Sequence, residues 1–312
     1  MSSFITEAFV RQYKANIFHL SQQKGSRLRA FVRQESQRGQ IGLFERLHSS
    51  AAQRKAGRHS DTPLMNIEHS KRAAFMYDYE WADLIDDEDK VRTLIDPENA
   101  YVQAAMMSLG RAMDDEIITA ALGAAAYGEN GSSTTILPAS QYVGAVASSA
   151  ISNLNVATLI RVKNKFGVND VDPSLALHIA VSQSQISALL AETQVTSADY
   201  NSIKALVHGE VDTFMGFKFH RLERLPVNGT GAFLASTNTT TGVVTLSTGT
   251  SNNARRCFAW AEDGIVLSIG KDMKGRISER GDKGYATQVY ASMTAGAVRM
   301  EEAKVVAILC HE

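Results

Sequence analysis

The stretch DPENAYVQAAMMSLGRAMDDEIITAALG, residues 96–123, predicts a long helix. Asp96 can cap its amino terminus, Pro97 suits the first helical position, and Glu98 complements the positive end of the helix dipole. Apolar residues then recur at helical spacing until Gly123, a typical stop signal. A helix of about 26 residues would extend roughly 39 Å. Its many small side chains allow close packing against a sheet or another helix.

The two segments before this helix have too few apolar residues for a core of their own. Residues 1–40 form a polar arm rich in Gln, Arg and Ser, and such a segment does not offset its ordering entropy alone. Residues 41–85 contain two extended stretches, at 41–50 and 73–85, joined by a charged segment with turn residues. A long two-stranded excursion is barely stable alone in water. We therefore expect both segments to become ordered by lying on another surface.

The part after the helix predicts an α/β region with a small sheet. The predicted elements are helices at 155–166, 184–192 and 197–209, a buried strand at 175–181, and a strand at 210–225 interrupted at Gly216. Residues 226–254 contain no charged side chain and are dominated by Thr, Ser, Asn and Gly, which predicts a surface hairpin or loop insertion. Residues 275–309 predict long strands around a turn at Gly296.

Charge is unevenly distributed along a chain whose formal net charge is only −1. Residues 1–60 hold eleven Lys or Arg against three acids, and residues 78–98 hold nine acids against two basic residues. The two patches are either solvated faces or surfaces through which copies of the chain attract each other. No apolar run approaches the ~20 residues of a membrane helix. The two cysteines lack metal-ligand spacing, which favours buried, reduced side chains.

Motifs for chemistry are missing from the sequence. It contains no phosphate-binding loop, no nucleophile elbow, no H-E-x-x-H and no dinucleotide fingerprint. The acidic run at 86–89 could bind a divalent cation through oxygen ligands, but it lacks the glycine and the later Glu of an EF-hand loop. We therefore predict no enzyme, no cofactor and no metal.

The predicted segments, in their order along the chain, resemble those of the major capsid proteins of tailed bacteriophages. The resemblance is strongest over HSDTPLMNIEHSKRAAFMYDYEWADLIDDEDKVRTLIDPENAYVQAAMMSLGRAMDDEIITAALG (59–123). It continues over TSADYNSIKALVHGEVDTFMGFKF (196–219) and GDKGYATQVYASMTAGAVRMEEAKVVAIL (281–309). It implies the α+β, Hong Kong 97-type capsid fold.

The resemblance also implies a division of the chain. The expected parts are an amino-terminal arm (1–40), an extended loop lying over the next subunit (41–85), a peripheral domain with the long spine helix (86–148), an axial α/β domain (149–226), a surface insertion (227–254), and return strands of the axial and peripheral domains (255–312).

The function implied is that of a major capsid protein, which self-assembles into the icosahedral head shell around a double-stranded DNA genome. The expected partners are copies of the chain itself, as pentamers and hexamers, together with a portal protein and a decoration protein. Since no room precedes the arm for an internal scaffolding segment, we expect a separate scaffold protein. We expect loose, non-specific contact with packaged DNA, because a near-neutral chain would not hold the genome firmly. The expected location is the virion, assembled in the host cytoplasm, with no membrane contact.

Contacts between subunits are predicted from the segments without a core. The apolar anchors would be Phe4, Phe9, Phe44, Phe75, Tyr77 and Trp81. Lys71 and Arg72, or basic residues of the arm, would face the acidic belt at 83–89 of a neighbour, which includes Asp86, Asp87 and Asp89.

Two other functions stay open at this point. An encapsulin-type compartment would have the same fold with a protein cargo. An oligomeric α/β enzyme would have a pocket with converging ionisable groups and shifted pKa values.

Overall fold

The computed structural model describes residues 21–55, 57–58, 64–86, 98–144, 146–147, 150–151, 153–192, 213–227, 236–237, 244–245 and 254–311. The helices in these ranges are α1 (Glu98–Leu122), α2 (Val156–Val168) and α3 (Gln183–Leu190), with short 3-10 turns at Arg29–Phe31, Ala139–Gln141 and Glu302–Lys304. The strands are β1 (Arg33–Ser36), β2 (Ile41–Leu47), β3 (His69–Phe75), β4 (Tyr77–Ile85), β5 (Ala125–Tyr127), β6 (Ser133–Thr135), β7 (Tyr142–Gly144), β8 (Val146–Ala147), β9 (Ala150–Ile151), β10 (Leu177–Val181), β11 (Thr213–Phe214), β12 (Phe217–Arg221), β13 (Ser236–Thr237), β14 (Val244–Thr245), β15 (Ala254–Ala261), β16 (Ile265–Arg280), β17 (Ala286–Arg299) and β18 (Val305–His311).

The chain divides into two compact units. The first takes in the described residues up to Ser26, then Asp78–Ala112 and Lys271–Thr294. The second takes in Arg27–Tyr77, Met113–Gly270 and the described residues from Ala295 onward. Each unit is therefore built from three separate stretches of sequence, and α1, β16 and β17 each contribute residues to both.

A six-stranded sheet forms the core of the second unit, in the order β11-β12-β10-β15-β18-β7. β10 runs parallel to β12, and β18 runs parallel to β7, while the other pairs are antiparallel. β18 is buried from Val305 to Cys310, as expected for an apolar strand in the middle of a sheet. Helix α2 packs on β18 and β7. Its apolar residues at Val156, Leu159, Val162 and Phe166 have the i, i+3, i+4 spacing that buries one face of a helix.

A second sheet, β2-β3-β5-β6, also belongs to this unit. β2 and β3 pair antiparallel over seven residues each, from Ile41 opposite Phe75 to Leu47 opposite His69. They form a two-stranded ribbon, called here the β2/β3 ribbon, whose base joins β5 through Arg72 and Ala73.

The first unit contains β4, the larger parts of β16 and β17 from the four-stranded sheet β1-β16-β17-β4, and the amino-terminal half of α1. β17 buries Val289, Ala291 and Met293, which alternate with side chains of the other face. Gly110 of α1 lies against the backbone at Gly25, where an added Cβ would be only 2.6 Å from the Gly25 carbonyl carbon. The close packing of α1 on the backbone at Gly25 therefore requires a residue without a side chain at position 110.

Most of the elements predicted from local patterns are confirmed. The predicted helices at 155–166 and 184–192 correspond to α2 and α3, and the buried strand at 175–181 corresponds to β10. The predicted break at Gly216 is a tight turn between β11 and β12, in which Met215 and Gly216 both have positive φ (54° and 85°), as a two-residue hairpin requires. The predicted helix at 197–209 lies outside the described residues.

The turn predicted at Gly296 is wrong. Gly296 lies inside β17, and the chain reverses at 281–285 between β16 and β17. Glycine is required there for a different reason, since a Cβ on Gly296 would clash with the carbonyl oxygen of Phe75. The position therefore marks a close approach between the backbone of β17 and the end of β3.

Candidate assembly surfaces

The β2/β3 ribbon has one face that packs within its own unit and one face open to solvent. Phe44 packs against a buried cluster of Ala74, Ala125, Val266 and Val298. On the other face of β2, the apolar side chains of Ile41, Leu43 and Leu47 are exposed, and further exposed apolar residues follow before β3 at Leu64, Met65 and Ile67. A row of exposed apolar side chains on a narrow ribbon is typical of a surface that meets a partner.

Three arginines lie around one glutamate, and two of them, Arg46 and Arg72, hold this ribbon on its own unit. Arg72 forms an ion pair with Glu302 and is only 3% exposed. Arg46 donates to the carbonyl oxygen of Met300 (2.5 Å) and lies 3.8 Å from Glu302. Burial lowers the pKa of Arg72, and the nearby Glu302 carboxylate opposes that shift. The cluster ties both strands of the ribbon to the turn that precedes β18.

Arg299, the third arginine, closes the carboxyl end of α1. Its Nη1 donates to the carbonyl oxygens of Ala121 (2.9 Å), Gly123 (2.8 Å) and, more weakly, Ala120 (3.3 Å), while Nη2 donates to Thr135 (3.3 Å). The last carbonyls of a helix have no intrahelical partner, and a cation suits the negative end of the helix dipole. Arg299 is fully buried, and this burial lowers the pKa of its guanidinium.

Residues 27–36 lie on their own unit, which corrects the expectation that the arm has no place on its own subunit up to residue 40. The Asp114 carboxylate accepts hydrogen bonds from the backbone N–H groups of Arg27 (3.0 Å) and Leu28 (3.1 Å). Leu28 is fully buried, and β1 pairs in parallel with residues 266–269 of β16. A buried carboxylate at a fixed point of α1 fixes the chain here more firmly than its sparse apolar residues suggest.

Phe31 packs on a cluster of aromatic rings on the six-stranded sheet. Its ring centroid lies 4.0 Å from that of His220 and 5.2 Å from that of His178, and Trp260 Nε1 donates to the Phe31 carbonyl oxygen (2.9 Å). His178 Nδ1 and His220 Nε2 are 3.0 Å apart and share a hydrogen bond. The pKa of each histidine is lowered to about 4, mainly by burial and also by the positive charge of Lys218, with His178 contributing to the shift of His220. Both rings are therefore neutral near pH 7.

The predicted contact residues differ in how available they are to a neighbour. Phe44 and Phe75 are half-buried, Tyr77 is exposed and Trp81 is half-buried. Lys71 is half-exposed and lies 3.7 Å from Glu45 of the adjacent strand. The expectation that Arg72 faces a neighbour is corrected, because Arg72 is buried in an ion pair within its own unit. Asp86 is exposed, whereas Phe4, Phe9, Asp87 and Asp89 lie outside the described residues.

Several structural residues were missed by reasoning from sequence. Asp114, Arg299, Glu302 and the pair His178 and His220 act through partners that are distant in the chain. The available signal was weak: Arg299 follows a long run of uncharged residues in a strand, and Asp114 lies beside apolar positions of the helix.

The described residues do not point to a catalytic or metal-binding site. They contain no group of three or more His, Cys, Asp or Glu side chains that could hold a metal ion. A pocket lined by Phe75, Thr119, Ala125 and Val298 has Glu116 and Arg299 among its ionisable groups, and Arg299 is engaged with the helix end. No helix in the described ranges is long and apolar enough to cross a membrane.

Solved structures of phage capsids share this fold. The capsid structure of Cyanophage P-SCSP1u superimposes with a TM-score of 0.73 at 14% identity, covering 100% of this chain and 96% of that one. The capsid of Ralstonia phage GP4 gives a TM-score of 0.69 at 12% identity, covering 97% and 95%. A Mycobacterium phage Che8 structure gives 0.66 at 12% identity, covering 96% and 97%. The chain thus has the α+β, Hong Kong 97-type fold, as the resemblance implied.

The sequence itself gives the family. The family model described as Phage capsid protein matches residues 5–312, nearly the whole chain, and the protein belongs to this family. No curated protein matches the sequence. The prediction of a phage major capsid protein is therefore confirmed, and the encapsulin-type and enzyme alternatives are not favoured.

Proposed function

We propose that copies of this chain form pentamers and hexamers and close into the icosahedral head shell around the double-stranded DNA of a tailed phage. The observation that supports this most directly is the exposed apolar face of the β2/β3 ribbon, together with Leu64, Met65 and Ile67. A side chain such as Leu64, 90% exposed, gains nothing from the hydrophobic effect until another surface covers it. Long loops of this kind provide a thin subunit with the large interfaces that stable assemblies bury, commonly ~2,000 Å² or more.

The anchoring of the ribbon supports the same proposal. The contacts of Arg46 and Arg72 and the packing of Phe44 hold the two strands on their own unit, so the connection that carries Leu64, Met65 and Ile67 starts from a fixed origin. A neighbouring copy would then meet the apolar residues in a defined orientation. Phe75, Tyr77 and Trp81, and outside the described residues Phe4 and Phe9, are the further contacts we propose.

The remaining partners follow from the same role. A separate scaffold protein, a portal protein and a decoration protein are proposed as the other components of the head, assembled in the host cytoplasm. Contact with the packaged DNA is proposed to be loose and independent of sequence. With 32 basic and 33 acidic residues, the chain as a whole does not attract phosphate strongly.

The test replaces the most exposed apolar residues on the ribbon and its connection. Leu47→Asp combined with Leu64→Asp is expected to abolish shells while leaving a folded subunit. Each contact would then have to bury an unpaired charge, which costs free energy. The matched control is Ile136→Asp with Val168→Asp, two equally exposed apolar positions (69% and 73%) outside the ribbon. Shell yield is measured by sedimentation and electron microscopy, and folding by circular dichroism.

Two outcomes decide the matter. Loss of shells in the ribbon variant alone supports the proposed contact. Nuclease-protected DNA within phage heads would support the proposal that the shell encloses the genome. Normal shells from the Leu47/Leu64 variant would refute the proposed contact.

A further inference from the structure

The sheet of the first unit has two distinct faces. Val289, Ala291 and Met293 of β17 are buried on one face. On the other face, Tyr290 donates to Glu80 Oε2 (3.0 Å) and Thr294 donates to Asp78 Oδ1 (2.5 Å), which places the side chains of β17 and β4 together. Arg280 of β16 donates to Gln288 of β17 (3.2 Å) on this same face.

Charge is polarised across the sheet, from one edge strand to the other. β4 contributes exposed Asp78, Glu80 and Asp83, exposed Asp86 follows it, and residues 77–86 contain no Lys or Arg. On the opposite side of β17, residues 271–280 of β16 hold four basic residues against two acids. Lys274 and Arg276 are exposed in the middle of that strand. One side of the sheet is therefore acidic and the other is basic.

Both charged strands are edges of the sheet. β4 is the last strand on its side. β1 pairs with β16 only at residues 266–269, so within the part of the chain that the structure describes no strand covers residues 271–280. An edge strand presents unpaired backbone groups, and charged side chains restrict which partners can approach them.

The two edges cannot neutralise each other within one copy, since β17 separates them. Strands in a sheet are ~4.8 Å apart, so the two edges lie roughly 10 Å from each other. This distance is about one Debye length at physiological salt, and most of the attraction is screened. A second copy, however, could bring an acidic edge against a basic edge at contact distance.

We propose that the acidic edge formed by Asp78, Glu80, Asp83 and Asp86 meets the basic edge at Lys274 and Arg276 of a second copy of this chain. The contact is heterologous, because different edges meet, and repeated heterologous contacts generate rings when the rotation closes. The inference rests on the proposed self-assembly and names one of its interfaces. It also replaces the earlier expectation for the basic partner, since Arg72 is buried and Lys71 lies next to Glu45.

Two reversals and their combination test this contact. Lys274→Glu with Arg276→Glu, and separately Asp83→Lys with Asp86→Lys, are each expected to reduce the yield of shells by about tenfold or more, because like charges then face each other. The chain with all four substitutions again has opposite charges at these two pairs of positions and is expected to recover assembly. Lys163→Glu with Lys218→Glu, exposed positions in the second unit, changes net charge as the first reversal does and serves as the control.

Sedimentation and electron microscopy measure shells, and thermal unfolding confirms that each variant is folded. Reduced yield in both reversals with recovery in the combination supports the contact. Wild-type yield from a folded reversal, or no recovery in a folded combination, overturns it while the proposed function stands. If wild-type chain forms no shells even with its scaffold, the proposed function itself fails.

Discussion

Replacing Arg299 by Met should lower the stability of the subunit by about 3–5 kcal/mol, the cost typical of removing one partner from a buried charged network. Arg299 is fully buried and donates four hydrogen bonds to backbone carbonyls, three of them at the end of α1. Hydrogen bonds to charged groups contribute roughly 1.5–3 kcal/mol each, but two of the four are long at 3.3 Å. The desolvation cost of the guanidinium, which lowers its pKa, is recovered on substitution and keeps the net loss below the sum.

Urea unfolding of unassembled subunits measures this loss. Arg276→Met is the matched control, since Arg276 is exposed and its replacement should change stability by less than about 0.5 kcal/mol. Arg299→Lys should recover only part of the loss, because one ammonium cannot reach carbonyls arranged for a planar fork. A loss below about 1 kcal/mol in Arg299→Met would show that water or nearby groups satisfy the helix end, and the assigned role would be wrong.

Two further changes test other parts of the second unit. Lowering the pH from 7 to 4.5 should destabilise the subunit. The pKa values of His178 and His220 are about 4 in the folded chain against 6.5 in the unfolded chain, so the unfolded chain takes up protons first. The stability that the two neutral rings contribute is complete above pH 6.5 and falls towards pH 4, by at most roughly 3 kcal/mol per ring. Urea midpoints across this range measure it, and a His178→Phe/His220→Phe variant that kept the same dependence would contradict the assignment. Gly296→Ala should lower the free energy of unfolding by about 1–3 kcal/mol, because its Cβ would clash with the Phe75 carbonyl. Gly167→Ala, with open space around it in α2, should be neutral or stabilising. Equal melting temperatures for the two variants would contradict this packing.

Local patterns in the sequence were sufficient for most of the elements. Helix α1 follows from its cap signals and apolar spacing, and the break at Gly216 follows from a glycine in an otherwise extended stretch, although the break is a hairpin turn and not a bulge. These features depend on neighbours in the sequence, so they can be read without the fold. The Hong Kong 97-type architecture needed the order of the parts and the resemblance, because no single element determines it.

The errors came from long-range contacts. Gly296 resembled a turn residue because glycine serves turns and close backbone approaches equally well, and only the position of Phe75 distinguishes the two. Arg72 resembled a surface charge because arginine is usually exposed, yet Glu302, 230 residues away, pairs with it in the interior. Residues 27–36 seemed too polar to pack, but Asp114 accepts hydrogen bonds from the backbone of Arg27 and Leu28, and residues 33–36 pair with β16.

The arginine cluster explains how an extended ribbon can have a fixed direction in a subunit that gives it little core. Apolar contacts such as that of Phe44 are strong but tolerate sliding, because the hydrophobic effect has no direction. Hydrogen bonds from Arg46 and Arg72 to the Met300 carbonyl oxygen do have direction, and a shift of one residue along β2 or β3 would break them. Since Glu302 joins Arg72 and lies 3.9 Å from Arg299, the ribbon base and the end of α1 meet at one carboxylate. In the proposed contact, polar interactions would therefore set the orientation of the exposed apolar residues towards a neighbour, and the apolar residues themselves would supply the affinity.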